Sequence, residues 1–264
     1  MSAGTAMARG GNTFGVSRAL AGRSLRSITR QPSAFVPSLL FPIFQTIAFS
    51  GAFGAITGLP FFPTRNALSW FVPLAAIQGA GFAGMFTAFG VVRDFEDGFV
   101  DRLLLAPTRR HTLLYGPLLA ALARAFVPVA LVLAVGALGG VEVPGGVLGL
   151  AMLLLACLGV SVTAACWALG LAYRFQSMQA APLMQIGLFF AIFMSTSQMP
   201  LEGLSGWLKT VARVNPMTYV LGMGRSGFIG QVTWEAVWKG LVALAVLLAL
   251  TSTFATRGLR KIVR

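Results

Sequence analysis

The sequence predicts an all-α integral membrane protein, and three observations carry the prediction. The chain of 264 residues is 56% hydrophobic and only 10% charged, against the roughly 25% charged residues of an ordinary soluble domain. Mean hydropathy is +0.81. The apolar stretches are continuous runs of Leu, Ala, Val and Phe, unlike the roughly ten-residue alternating segments of a membrane barrel. Spans of about 20 residues with short loops use up this length, so no soluble catalytic domain is expected.

Six spans are expected, near 36–58, 70–92, 114–138, 147–169, 181–198 and 236–256. The predicted organisation is a cytoplasmic N-terminal segment (1–35), a six-span domain (36–256) and a basic tail (257–264). An even number of spans puts both termini on one side. That side collects Arg9, Arg18, Arg23, Arg26, Arg30, Arg93, Arg102, Arg109, Arg110, Arg174, Arg257, Arg260, Lys261 and Arg264, while the other has Arg65, Lys209, Arg213, Arg225 and Lys239. Retained positive charge orients helices, so the termini are expected in the cytoplasm. The net charge of +13 is therefore a property of membrane loops facing anionic lipid, not of a nucleic-acid binder.

Each element follows from local pattern. Before the first span, Phe14, Val16, Leu20, Ala21, Leu25 and Ile28 fill one half of a helical wheel and Arg18, Arg23, Arg26 and Arg30 the other, the pattern of a helix lying in the headgroup layer. No apolar core of a cleavable signal follows those arginines. Between the second and third spans, "RDFEDGFVDRLLLAPTRR" (93–110) holds four of the seven acidic residues. On a continuous helix Asp94, Asp97 and Asp101 form one stripe and Phe95, Phe99 and Leu103 another, with Arg93 placed to pair with Asp97 and Pro107 closing the segment. A two-faced helix of this kind suits docking to a cytosolic partner; the plainer reading is a charged turn joining two spans.

The segment 199–235 is the longest on the outer side. Leu204, Trp207, Leu208 and Val211 fall at helical spacing opposite Lys209 and Arg213, and Asn215 followed by Pro216 reads as an N-cap and first helical residue. Two short helices here suggest a re-entrant hairpin, which must be shielded by protein or line a cavity. The plain alternative is an extracellular loop. Arg124 lies well inside a predicted span and serves either helix packing and snorkelling or substrate contact. Gln78, Gln185 and Ser195 are polar residues in apolar runs that either line the same route or make interhelical hydrogen bonds. Gly54/Gly58 and Gly136/Gly140 have the spacing of close-contact motifs, but with 31 glycines such matches arise by chance.

Several chemistries are disfavoured. Cys157 and Cys166 share one apolar run without metal spacing and read as buried thiols; the single histidine, His111, faces no second carboxylate cluster. No bound metal or cofactor is expected. The sequence has no G-x-x-x-x-G-K-[ST] loop, so any ATP hydrolysis belongs to a partner. The competing classes are a membrane-embedded enzyme, for which no paired carboxylates or nucleophile motif exist inside the spans, and an ion-coupled carrier, for which no acidic residue falls at a span centre.

The run Glu96, Gly98, Asp101, Arg102, Leu103, Pro107, Arg110 resembles the E-x-G-x-x-[E/D]-R-L-x-x-x-P-x-x-R pattern of type-2 ABC exporter permeases, especially the daunorubicin-resistance-type drug exporters. "NPMTY" at 215–219 followed by Arg225 is similar to the segment the same family places between its fifth and sixth spans. The resemblance implies that residues 94–104 form the coupling helix seated on a separate ATP-hydrolysing subunit, in two copies and carrying the ATP and Mg. It also implies a second permease, identical or homologous, an inner-membrane location, an outer gate that includes Trp207, Asn215, Pro216, Tyr219 and Arg225, and export of a lipophilic or amphipathic substrate (drug, lipid or glycoconjugate). Asp94 and Asp97 make this loop more acidic than the family's usual pattern, which implies pairing with its own ATPase.

Overall fold

The computed structural model describes residues 15, 22, 32–60, 62–105, 111–230 and 232–262, and for 32–38, 56, 101, 103 and 104 the backbone alone. The expected N-terminal interfacial helix and Pro107 therefore lie outside the described residues. In chain order the helices are α1 (Pro32–Ala52), α2 (Ala67–Glu96), α3 (Phe99–Leu105), α4 (Thr112–Leu138), α5 (Gly146–Phe175), α6 (Ala181–Phe193), α7 (Gly206–Val214), α8 (Pro216–Ile229) and α9 (Trp234–Ile262), with short 3-10 turns at Gly54–Gly58, Met178–Ala180 and Leu201–Gly203. Among the described residues there is no strand.

Among the described residues four helices are long and apolar enough to cross a membrane: α2, α4, α5 and α9. The stretches Leu39–Ala52 and Met178–Phe193 are shorter apolar helices. Two expected spans thus end early. The first gives way after Ala52 to the Gly54–Gly58 turn, where Thr57 donates its hydroxyl to the Gly54 carbonyl at 2.7 Å and to Arg65 at 3.1 Å. The fifth was expected to reach 198 but α6 stops at Phe193 after 13 residues, about 20 Å of helix against the roughly 30 Å of a bilayer core.

The centre of the bundle is α2. Asn66 caps it, accepting from Leu68 N at 2.9 Å, and 22 of its 30 residues are buried. It packs against α1, α4, α5 and α8. Its crossing with α5 is a backbone contact: a Cβ on Gly84 would stand 2.0 Å from the Ser161 carbonyl oxygen. Ser161 in turn donates to the Ala121 carbonyl of α4 at 3.1 Å. Small residues that allow such approach are how helices associate without a hydrophobic driving force.

α8 is wedged between α2, α5 and α9. A Cβ on Gly227 would meet Gly149 Cα at 2.2 Å, and Gly145 N donates to Gly227 O at 2.9 Å. The close-contact glycines of the α5–α8 crossing are therefore Gly145, Gly149 and Gly227. At Gly54 and Gly58 an added Cβ would meet nothing within 4 Å. α9 covers the other side of α5, with the Trp167 and Phe254 rings stacked at 5.2 Å and the Arg174 guanidinium 3.7 Å from the Phe254 ring.

Candidate functional site

Two regions hold most of the residues singled out by sequence: the elbow after α2 and the α7–α8 pair. At the elbow the expected continuous helix over 94–104 does not form. α2 ends at Glu96, Asp97 is its C-cap, and Gly98 takes φ +65° before α3 begins at Phe99. A left-handed residue ends a helix readily when it is glycine, so the two stripes are broken at the bend. Asp94 and Phe95 belong to the end of α2, Phe99 and Arg102 to α3, and the side chains of Asp101 and Leu103 are not described.

Each half of the elbow is tied down separately. The Phe95 ring lies edge-on to Tyr173 at 6.4 Å, and Tyr173 donates its hydroxyl to the Leu113 carbonyl at 2.9 Å, joining the ends of α2, α5 and α4. Glu96 Oε1 accepts from Met178 N at 3.0 Å. Its carboxylate thus holds the 3-10 turn that leads into α6. Val100 of α3 is buried. Arg102 folds back, Nε donating to Gly98 O at 3.3 Å and Nη2 to Asp97 O at 3.4 Å. Glu96, Asp97, Arg102 and Leu105 are exposed at this end of the chain, which leaves a compact mixed-charge surface.

The α7–α8 pair is held by its own side chains. Asn215 is the N-cap of α8, its Oδ1 accepting from Met217 N at 2.9 Å, with Pro216 at the first helical position. Its Nδ2 donates to Ala191 O at 2.8 Å and Met194 O at 2.9 Å. Those are carbonyls at the end of α6, which is why that helix can stop at Phe193 with its last acceptors satisfied. Thr218 donates to Ala212 O at 2.6 Å and Tyr219 to Arg213 O at 2.7 Å, tying α8 back to α7. Trp207 projects from α7 and is exposed.

Arg225, counted by sequence among the outer-side charges, is one of the largest fully buried side chains. Its Nε donates to Trp70 O at 3.1 Å, Nη1 to Thr196 O and Nη2 to Ser197 O, and its guanidinium stands 3.9 Å from the Trp70 ring. A planar fork with five donors can serve three carbonyls and a ring at once.

Of the polar residues expected along a route, Gln78 is fully buried in α2, Arg124 is buried in α4, and Ser195 is buried and donates to Ile192 O. Gln185 is exposed on α6 beside Ile186, apart from the buried Gln78. The sequence reading passed over Gln45, buried in α1, although a glutamine between Phe41 and Phe49 at four-residue spacing was signal enough. It also passed over Trp70, Tyr173 and Met178, whose roles depend on contacts that no local pattern encodes. No group of three or more His, Cys, Asp or Glu is placed to hold a metal among the described residues.

The model of the family described as ABC-2 type transporter matches residues 16–229, a stretch that includes both the elbow and the α7–α8 pair. The chain belongs to that family. It is 26% identical over 240 residues to the daunorubicin resistance ABC transporter permease protein DrrB1 of Streptomyces coeruleorubidus, covering 90% of this chain and 82% of that protein. It is 26% identical over 193 residues to the probable multidrug ABC transporter permease YbhR of Escherichia coli K12, covering 70% of this chain and 51% of the relative. The probable doxorubicin resistance ABC transporter permease protein DrrC of Mycobacterium tuberculosis H37Rv is 27% identical over 178 residues, covering 62% of this chain and 63% of DrrC. An ABC-2 family chain with four long apolar helices among its described residues is a multi-pass membrane protein, the membrane subunit of an ABC transporter.

Proposed function

We propose that this chain is the permease of a drug-type ABC exporter, moving a lipophilic or amphipathic compound outward at the expense of ATP hydrolysed by a separate subunit. The observation that carries the reading is the pairing of an exposed, mixed-charge elbow at 96–105 with a family match that spans it. Two ATPase subunits, each carrying ATP and Mg, sit beneath two permeases, identical or homologous, in the inner membrane.

In this reading α1 and α6 complete a set of six spans with both termini cytoplasmic, and α7–α8 form a re-entrant outer hairpin. Burial of α8 among α2, α5 and α9 supports that placement, because backbone dipping into a bilayer has to be shielded by protein. Movement starts at the elbow. ATPase closure presses on α3, and Glu96 passes the displacement to α6 through the Met178 amide. α6 carries it to the hairpin through the carbonyls that Asn215 holds. The outer gate residues Trp207, Asn215, Pro216, Tyr219 and Arg225 sit at the far end of that linkage.

Purification of the chain from cells co-expressing a candidate P-loop ABC ATPase from the same genome tests the assignment. The expected product is a complex of two permeases and two ATPases. Recovery of the permease alone at full stability, with ATPase activity indifferent to its presence, would refute the reading.

A further inference from the structure

We infer that Gln45 and Gln78 form a polar slot between α1 and α2 that takes an aromatic compound bearing neutral hydrogen-bonding groups; the inference rests on the exporter reading and names the substrate class. The two helices run antiparallel, and two ring pairs fix their register. Phe41 meets Phe82 at 6.1 Å and Phe49 meets Phe71 at 5.6 Å. Gln45 lies four residues beyond Phe41, and Gln78 four residues before Phe82. At 1.5 Å rise per residue both stand about 6 Å from the Phe41/Phe82 level, on the same side of it. The two glutamines are therefore at one height on facing stripes. Backbone approach agrees: an added Cβ on Gly79 would be 3.6 Å from Pro42 Cγ.

Both side chains are more than nine-tenths buried, at 6% and 0% exposure. Gln45 Oε1 and both amide atoms of Gln78 have no hydrogen-bond partner among the described residues. Thr46, the neighbouring buried polar residue, spends its hydroxyl on Pro42 O at 2.8 Å. A buried amide without partners is destabilising, and within a bilayer no bulk water offsets it. An amide offers donors and an acceptor together. Neither 41–49 nor 71–82 contains a charged residue, so the slot suits the neutral hydroxyl, carbonyl or amide groups of an aromatic ring system and leaves any charged substituent outside it.

The slot is bounded by rings at both ends. Toward Glu96, Phe189 of α6 joins Phe41 at 5.9 Å and Phe82 at 5.4 Å. Toward Asn66, Phe53 joins Phe49 and Phe71, each at 5.7 Å. Edges and faces of phenylalanine favour a stacked or edge-on aromatic guest. With the rings in contact, as here, the slot is closed, and it opens when α1 withdraws from α2.

The test uses the complete permease–ATPase complex in proteoliposomes with daunorubicin as probe. Gln45→Leu and Gln78→Leu keep side-chain volume and remove the orphaned amides, so folding is preserved and melting is unchanged or higher. Each is expected to weaken daunorubicin binding about five- to tenfold, the loss of one hydrogen bond. In a Cys157- and Cys166-free background, a Gln45→Cys/Gln78→Cys pair should cross-link with a short bifunctional thiol reagent, more slowly when daunorubicin is present. Undiminished affinity in both leucine variants, or cross-linking that is absent or blind to the drug, overturns the slot while export by the wild-type complex leaves the exporter reading standing. A wild-type complex that exports without binding daunorubicin overturns the substrate class; one that exports nothing on ATP addition removes the underlying reading as well.

Discussion

The Arg225 guanidinium lies 3.9 Å from the Trp70 ring while its Nε donates to the Trp70 carbonyl at 3.1 Å. One side chain of α8 thus holds the start of α2 through both ring and backbone, and its remaining nitrogens hold Thr196 and Ser197. Replacing it separates these contributions. Arg225→Met leaves three carbonyls without their donor, at about 1–3 kcal/mol each, and should lower the melting temperature by more than about 5 °C. Arg225→Lys cannot fork to three acceptors and should fall between. Trp70→Ala keeps the backbone carbonyl but removes a buried ring that also packs on Phe62 at 5.1 Å, so its cost of about 3–5 kcal/mol combines a cavity with the lost cation–π contact. Size-exclusion thermal assays in detergent rank the three; a Met variant as stable as wild type would refute the lock.

Asn215 does two jobs that one substitution can part. Aspartate retains an acceptor for Met217 N, while the donors to Ala191 O and Met194 O are lost. Alanine loses both functions, a cap being worth about 1 kcal/mol. Asn215→Asp should therefore keep α8 intact yet uncouple it from α6, reducing export with normal expression and ATPase assembly. Asn215→Ala should add instability. Equal export by Asn215→Asp and wild type would mean that the α6 linkage carries no motion.

Glu96 distinguishes a charge offered to a partner from an acceptor used within the chain. Glutamine still accepts the Met178 amide proton, whereas alanine and lysine do not. The expected order of transport is wild type close to Glu96→Gln, with Glu96→Ala and Glu96→Lys strongly reduced while still inserted in the membrane. Loss of ATPase binding in Glu96→Gln, measured by pull-down, would instead assign the carboxylate to the partner interface.

How much of this was legible in sequence divides along a physical line. Apolar continuity announces helices, and Asn215–Pro216 announces a helix start because capping chemistry is local. The helix break at Gly98 was readable in principle, but amphipathic stripes computed across a glycine assume a helix that the left-handed residue ends. Arg225 escaped because nothing local marks it as buried: its partners lie 155, 29 and 28 residues away. The Glu96–Met178 contact spans 82 residues, and Gln45 becomes meaningful only beside Gln78. Long-range pairing is what sequence periodicity does not encode.

Orientation has its own check. Single cysteines at 96 and 260 are expected to react with an impermeant thiol reagent only from the cytoplasmic face, and a cysteine at 207 only from outside, in a Cys157- and Cys166-free background. Trp207 is exposed, so its replacement should not disturb folding. Labelling at 260 in intact cells would overturn the arrangement of six spans with cytoplasmic termini.

Transport in inside-out vesicles that contain the chain and its partner ABC ATPase tests the central claim most directly. Daunorubicin uptake is measured with ATP, with ATP plus vanadate, and with a proton gradient alone, before and after addition of a protonophore. The account predicts uptake that requires ATP and the ATPase subunit, is blocked by vanadate and survives the protonophore. Uptake driven by the proton gradient without the ATPase would contradict it and establish an ion-coupled carrier instead.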